Sequence, residues 1–96
     1  MRVRIVRSPN PKKKFRAILE DGRTVDFGAR GYSDYTKHKN PSRMRAYVAR
    51  HGSGLQNWGI TGISTPGFWS RWYLWSRPSI EESRRFMSKK FGIKFT

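Results

Sequence analysis

The chain predicts a small α+β domain over residues 1–96, a three-stranded antiparallel meander packed with about three short helices. Three observations lead there. Apolar and charged residues alternate with a period of two near the start. Asp21-Gly22, a dipeptide that tolerates the positive φ angles of a hairpin turn, separates two strand-like runs. The later two thirds carry helix-starting signals, Asn40-Pro41, Thr65-Pro66 and Ser79 with Glu82, ahead of segments with helical periodicity.

Arg2 to Arg7 alternates arginine with Val3 and Ile5 and reads as the first strand, and Ser8-Pro9-Asn10-Pro11 supplies the loop after it. Phe15 to Glu20 and Arg23 to Gly28 flank the Asp21-Gly22 turn. Counted outward from a two-residue type I′ turn, Glu20 opposes Arg23, Ile18 opposes Val25 and Arg16 opposes Phe27.

Gly28, Gly31, Tyr32, Ser33 and Asp34 form a turn-rich passage in which Asp34 serves as a turn or cap residue. Asn40 as N-cap and Pro41 as first residue open a helix over 41–51, which Gly52 is expected to end in the left-handed conformation. Met44, Tyr47, Val48 and His51 share its core face, with Arg43 and Arg50 on one rim and Arg45 on the other. Residues 52–67 hold five glycines and read as a long loop anchored by Leu55, Trp58, Ile60 and Ile63. A short helix over 67–75 follows Thr65-Pro66, and the Ser79/Glu82 capping box starts a last helix over 80–91 that Gly92 ends.

Charge restricts function most sharply. Twenty-one Lys and Arg stand against six Asp and Glu, a net +15. A folded body with that excess repels itself and favours a polyanionic neighbour: nucleic acid, an anionic lipid surface or an acidic protein. The expected polyanion-binding residues are Arg2, Arg4, Lys12, Lys13, Lys14 and Arg16 near the start and Arg84, Arg85, Lys89 and Lys90 in the last helix. Aromatic content of 15% indicates a folded chain with a core built largely from rings. Without cysteine there is no disulfide, thiolate zinc site or Cys nucleophile. No apolar run approaches the ~20 residues of a spanning helix, so membrane contact is expected to be peripheral at most.

Phe68-Trp69-Ser70-Arg71-Trp72-Tyr73-Leu74-Trp75 places five rings in eight positions. Phe68, Trp69, Trp72 and Trp75 are the expected anchors, either of the core or of a protein interface, since exposed indole seeks cover. Lys13-Lys14-Phe15-Arg16 and Arg84-Arg85-Phe86 interleave bases with rings, a pattern shared by single-strand binders and by ordinary wet faces. Catalysis has few candidates. His51 falls on a core face, His38 lies between two lysines that favour its neutral form, and Asp26, Asp34, Glu81 and Glu82 fit strand, cap and helix-start positions. No catalytic residue, metal site, cofactor or small-molecule substrate is expected, and the glycines match no phosphate-binding loop.

Lys14-Phe15-Arg16-Ala17-Ile18-Leu19, the block from Asp21 to Ala29, Gly31 to Lys39, Arg50-His51 and Thr65 to Trp72 together resemble a small basic protein family of nucleocytoplasmic large DNA viruses. The likeness covers about residues 12–85 and carries no functional residues with it. It implies a large double-stranded DNA virus, with the protein in the capsid or virion interior and in host cytoplasm or nucleus during assembly. Two functions fit that setting. The first expectation is a non-enzymatic minor structural component, its rings anchored among capsid proteins and its basic surface facing acidic capsid protein, membrane or genome. The alternative is a packaging protein that binds DNA or RNA without sequence preference.

Overall fold

The computed structural model describes residues 1–52 and 56–96. Leu55, one of the expected loop anchors, lies outside these residues.

The α+β class holds, with a larger sheet than the meander. Strands β1 (Arg2–Arg7), β2 (Lys13–Leu19) and β3 (Thr24–Ala29) pair antiparallel in sequence order. A fourth strand, β4 (Lys94–Phe95), joins β1 in parallel, so the sheet is mixed and ordered β3-β2-β1-β4. Gly92 makes this possible, because its left-handed φ of 68° turns the chain out of the last helix. Ile93 then fills the core, and the Lys94 N–H donates to the Met1 carbonyl at 2.7 Å. Two paired residues are too short a run to announce themselves by alternation.

The hairpin register differs from the expected one by a single residue. Ala17 opposes Val25, Arg16 opposes Asp26 and Phe15 opposes Phe27. The loop holds three residues, not two: the Leu19 N–H donates to the Arg23 carbonyl at 2.8 Å and the Gly22 N–H to the Leu19 carbonyl at 2.9 Å. Gly22 has φ +92°, as the bulge position of such a loop requires. The shift changes every cross-strand pair, and burial of Ala17, Leu19, Val25 and Phe27 on one face explains why it wins.

A four-residue helix, α1 (Tyr35–His38), was not foreseen in the turn-rich passage, although Asp34 does cap it by accepting from the Thr36 N–H. Helix α2 (Pro41–His51) begins as expected, with Asn40 accepting from the Ser42 and Arg43 N–H groups. Its end differs. Gly52 keeps φ −88°, so no left-handed turn closes the helix. Of its expected core face only Tyr47 is buried; Met44, Val48 and His51 are half-buried, because α2 lies at the edge of the domain.

Helix α3 starts at Pro66, capped by Thr65, runs as an α-turn over Pro66–Trp69, and widens into a π-turn over Ser70–Leu74. There the Trp75 N–H donates to the Ser70 carbonyl at 3.1 Å, one residue further than an α-helix would reach. Helix α4 (Ile80–Phe91) carries the Ser79 cap, whose Oγ accepts from the Glu82 N–H. Val3, Ala17, Leu19, Val25 and Phe27 of the sheet meet Phe68, Trp69, Tyr73 and Leu74 of α3 and Met87 of α4. Rings dominate: Phe27 lies 5.8 Å from Trp69 and 5.6 Å from Tyr73 between centroids. Of the loop anchors, Ile63 is buried and Trp58 half-buried, whereas Ile60 is 44% exposed and anchors nothing.

Candidate polyanion interface

An open cationic groove of about 680 Å³ lies between α4 and β4, lined by Arg84, Arg85, Lys89 and Lys94 with Ser88, Ile93 and Phe95. No carboxylate lines it. Helical spacing sets three of these bases along one side of α4, and Gly92 brings Lys94 back beside them. Arg2 of β1 is the register partner of Lys94, and Arg4 follows on the same face of β1, the exposed face turned away from Val3 and the core, so both add positive charge near the edge of the groove without lining it. Arg84 is held in place, donating from Nε to the Tyr73 hydroxyl at 3.1 Å with its guanidinium 5.0 Å from the Phe95 ring centroid. Arg85 pairs with Glu81 at 2.9 Å, but both side chains are well exposed, so the pair is worth little and is open to exchange.

The remaining expected bases divide differently. Lys12 is exposed and Lys13 half-buried, but Lys14 and Arg16 do not face water as free charges. Lys14 is half-buried and reaches the buried Asp34, Nζ to Oδ2, at 2.6 Å. Arg16 makes a two-pronged contact with Asp26, 2.7 Å from Nε and 2.9 Å from the second nitrogen. The same contact holds the Asp26 carboxyl below its usual range, with a smaller contribution from the Ser8 hydroxyl. These two bases are withdrawn from the candidate interface, because each is paired with an acid: Lys14 with the cap residue Asp34, and Arg16 with its cross-strand neighbour Asp26. Lys90 stands apart from the groove, with Nζ 5.5 Å from the Trp72 ring centroid.

The four expected aromatic anchors divide between the core and its margin. Phe68 and Trp69 are fully buried, and the Trp69 indole donates to the Ile63 carbonyl at 2.7 Å. Trp72 and Trp75 are half-buried. Trp72 donates to the Trp58 carbonyl at 2.7 Å, and Trp75 stacks on Tyr47 at 4.4 Å with the planes 1° apart. Phe68 and Trp69 are thus core residues, whereas Trp72 and Trp75 keep part of their surface at its margin.

His38 accepts from the Asn40 N–H at 2.9 Å and packs near Trp75. Burial first, then the Arg43 charge, lowers its pKa, so the expected neutral form follows from causes other than the flanking lysines. His51 stacks on Tyr47 at 4.3 Å. Among the described residues no three His, Asp or Glu side chains converge as a metal site would require, and no helix is long and apolar enough to cross a membrane.

Four contributors were missed from the sequence. Lys94 sits after a helix-ending glycine, where a return to the groove could not be foreseen. Arg43 and Arg50 were placed as helix rims, yet they share the wall of a second groove with Tyr32. Tyr32 stands in Gly31-Tyr32-Ser33, and a ring among turn formers is the signal that could have marked it.

No curated protein and no solved structure matches the chain significantly. A family profile matches residues 3–51, which include β1 to β3, α1 and α2 and leave out α4 and β4. That match spans 49 of the 96 residues. The chain belongs to DUF5754, a family of unknown function.

Proposed function

We propose that the protein is a non-enzymatic, sequence-independent nucleic-acid-binding protein that holds phosphate backbones against the α4–β4 groove and the adjoining Arg2 and Arg4. A groove with four bases and no carboxylate carries this reading. Phosphate neutralisation needs repeated cations and no base-specific geometry, and that is what these residues offer. The viral resemblance supplies the setting, a large DNA virus particle in which the polyanion is the genome or its transcripts. The architectural role among capsid proteins drew its advantage from the aromatic run. With Phe68 and Trp69 packed inside and Trp72 and Trp75 half-buried at the margin of the core, the groove of basic side chains favours the nucleic-acid alternative.

Binding to a random-sequence duplex should fall with salt at a log-log slope of about −0.9 per phosphate engaged. Replacing Arg85, Lys89 and Lys94 by Gln should flatten that slope by up to ~2.7 while leaving the fold intact, since one unit of engaged charge is lost at each. Lys12→Gln with Lys13→Gln should remove no more than ~1.8. No binding to DNA or RNA at low salt would remove the proposal and turn attention to acidic protein or lipid.

A further inference from the structure

The second groove encloses about 460 Å³ between the loop after β3, α2 and α3. Its chemistry differs from that of the α4–β4 groove. Arg43 and Arg50 stand seven residues apart on α2, about 10.5 Å along its axis, and neither makes an ion pair among the described residues. Two guanidiniums at that separation suit charge repeated along a chain better than a single small anion. The only acid in the groove is Asp34, already neutralised by Lys14. The wall is firm, because Tyr47 stacks on both Trp75 and His51.

Tyr32 completes the arrangement. It is 74% exposed, the one aromatic ring classed as exposed among the described residues, whereas the other rings are buried or half-buried in the core and its margins. The loop that carries it is ordered by Gly31 at φ +93° and by the Tyr32 N–H donating to the Ala29 carbonyl at 3.3 Å. A ring held out in water at the lip of a groove with two free arginines fits a flat, apolar-faced group that is linked to phosphates.

We propose that this groove takes an unpaired nucleotide of single-stranded nucleic acid, its base stacked on Tyr32 and its flanking phosphates on Arg43 and Arg50. A base in a duplex has both faces covered by its neighbours and cannot stack in this way, so the groove selects single strands. The inference rests on the proposed nucleic-acid binding and adds to it a preference which the α4–β4 groove does not supply.

The experiment compares three fluorescent probes of equal length by anisotropy: oligo-dT, the same strand with abasic sites throughout, and a duplex. The unmodified protein should bind oligo-dT more tightly than the abasic strand. Tyr32→Ala should weaken oligo-dT binding roughly tenfold and leave abasic and duplex binding unchanged, while Tyr32→Phe should bind oligo-dT like the original. Arg43→Gln with Arg50→Gln should flatten the single-strand salt slope by up to ~1.4. Equal affinity for oligo-dT and the abasic strand, or an equal loss on all three probes in Tyr32→Ala, overturns the inference while leaving phosphate binding in place. Failure to bind any probe overturns both.

Discussion

Lys14 and Asp34 form an ion pair inside the protein: Nζ lies 2.6 Å from Oδ2, with the two side chains 10% and 2% exposed. The pair ties β2 to the cap of α1. The other carboxylate oxygen of Asp34 accepts from the Thr36 N–H at 3.0 Å and from the Thr36 hydroxyl, so the acid serves both as helix cap and as counter-ion. Gly28 allows the close approach, since a side chain there would come within 3.3 Å of Lys14 and 2.8 Å of Leu74.

Removing one member of such a pair leaves the other charge buried and unmatched. Lys14→Met should therefore destabilise the domain by about 3–5 kcal/mol. In thermal melts this is a drop in Tm of roughly 10 °C or more for a chain of this size. Lys14→Met combined with Asp34→Asn should be more stable than Lys14→Met alone, because no orphan carboxylate remains. Melting of the single variant within a degree or two of the original would show that water reaches Asp34.

Trp69 and Trp72 should separate in their consequences. Trp69→Ala empties a fully enclosed site among Phe27, Phe68 and Phe95, for a cost of about 3–5 kcal/mol. Trp69→Phe keeps most of the packing but abandons the Ile63 carbonyl, for about 1–3 kcal/mol. Trp72 is half-exposed to solvent and covered in part by Arg71 and Lys90, so Trp72→Ala should cost clearly less than Trp69→Ala in urea denaturation. Equal losses at the two sites would contradict this division between core and margin.

Local chemistry made α2, α3 and α4 legible, though not α1. The caps at Asn40, Thr65 and Ser79 each satisfy orphan N–H groups within three residues, and all three helices start where these residues stand. Features that depend on distant partners were not legible. The hairpin register turned on whether Gly22 belonged to the turn or followed it as a bulge, and only the burial of Ala17 and Phe27 in the core decides that. The parallel pairing of β4 depends on Met1 and Val3, more than ninety residues away along the chain for each bond made. At the candidate interface, net charge is the ground for expecting a polyanionic partner, and the fold gathers Arg84, Arg85 and Lys89 of α4 in one groove while Lys90 stands outside it. Lys14 and Arg16 looked identical to them in sequence. What separates them is the proximity of Asp34 and Asp26, a tertiary fact that composition does not contain.

The same tertiary setting gives His38 a pH dependence. Its Nδ1 accepts from the N–H of Asn40, the residue that caps α2, and its Nε2 is buried without a partner among the described residues. Burial and Arg43 lower its pKa from 6.5, against a smaller opposing effect of Asp34. The unfolded chain therefore takes up a proton at a higher pH than the folded one does. Below about 6.5 the unfolded state binds more protons, so stability falls as the pH drops through that value towards the lowered folded pKa, and it is fully present above 6.5. Urea midpoints should decline between pH 7.5 and 5.5. His38→Phe keeps a ring beside Trp75 but has nothing to titrate: it should start less stable, with the Asn40 N–H unpaired, and lose most of the slope. An unchanged slope in His38→Phe would assign the titration to another group. Because Asn40 caps the helix that carries Arg43 and Arg50, acid should also weaken binding in the Tyr32 groove before it weakens binding at α4, a difference that the abasic and oligo-dT probes can resolve.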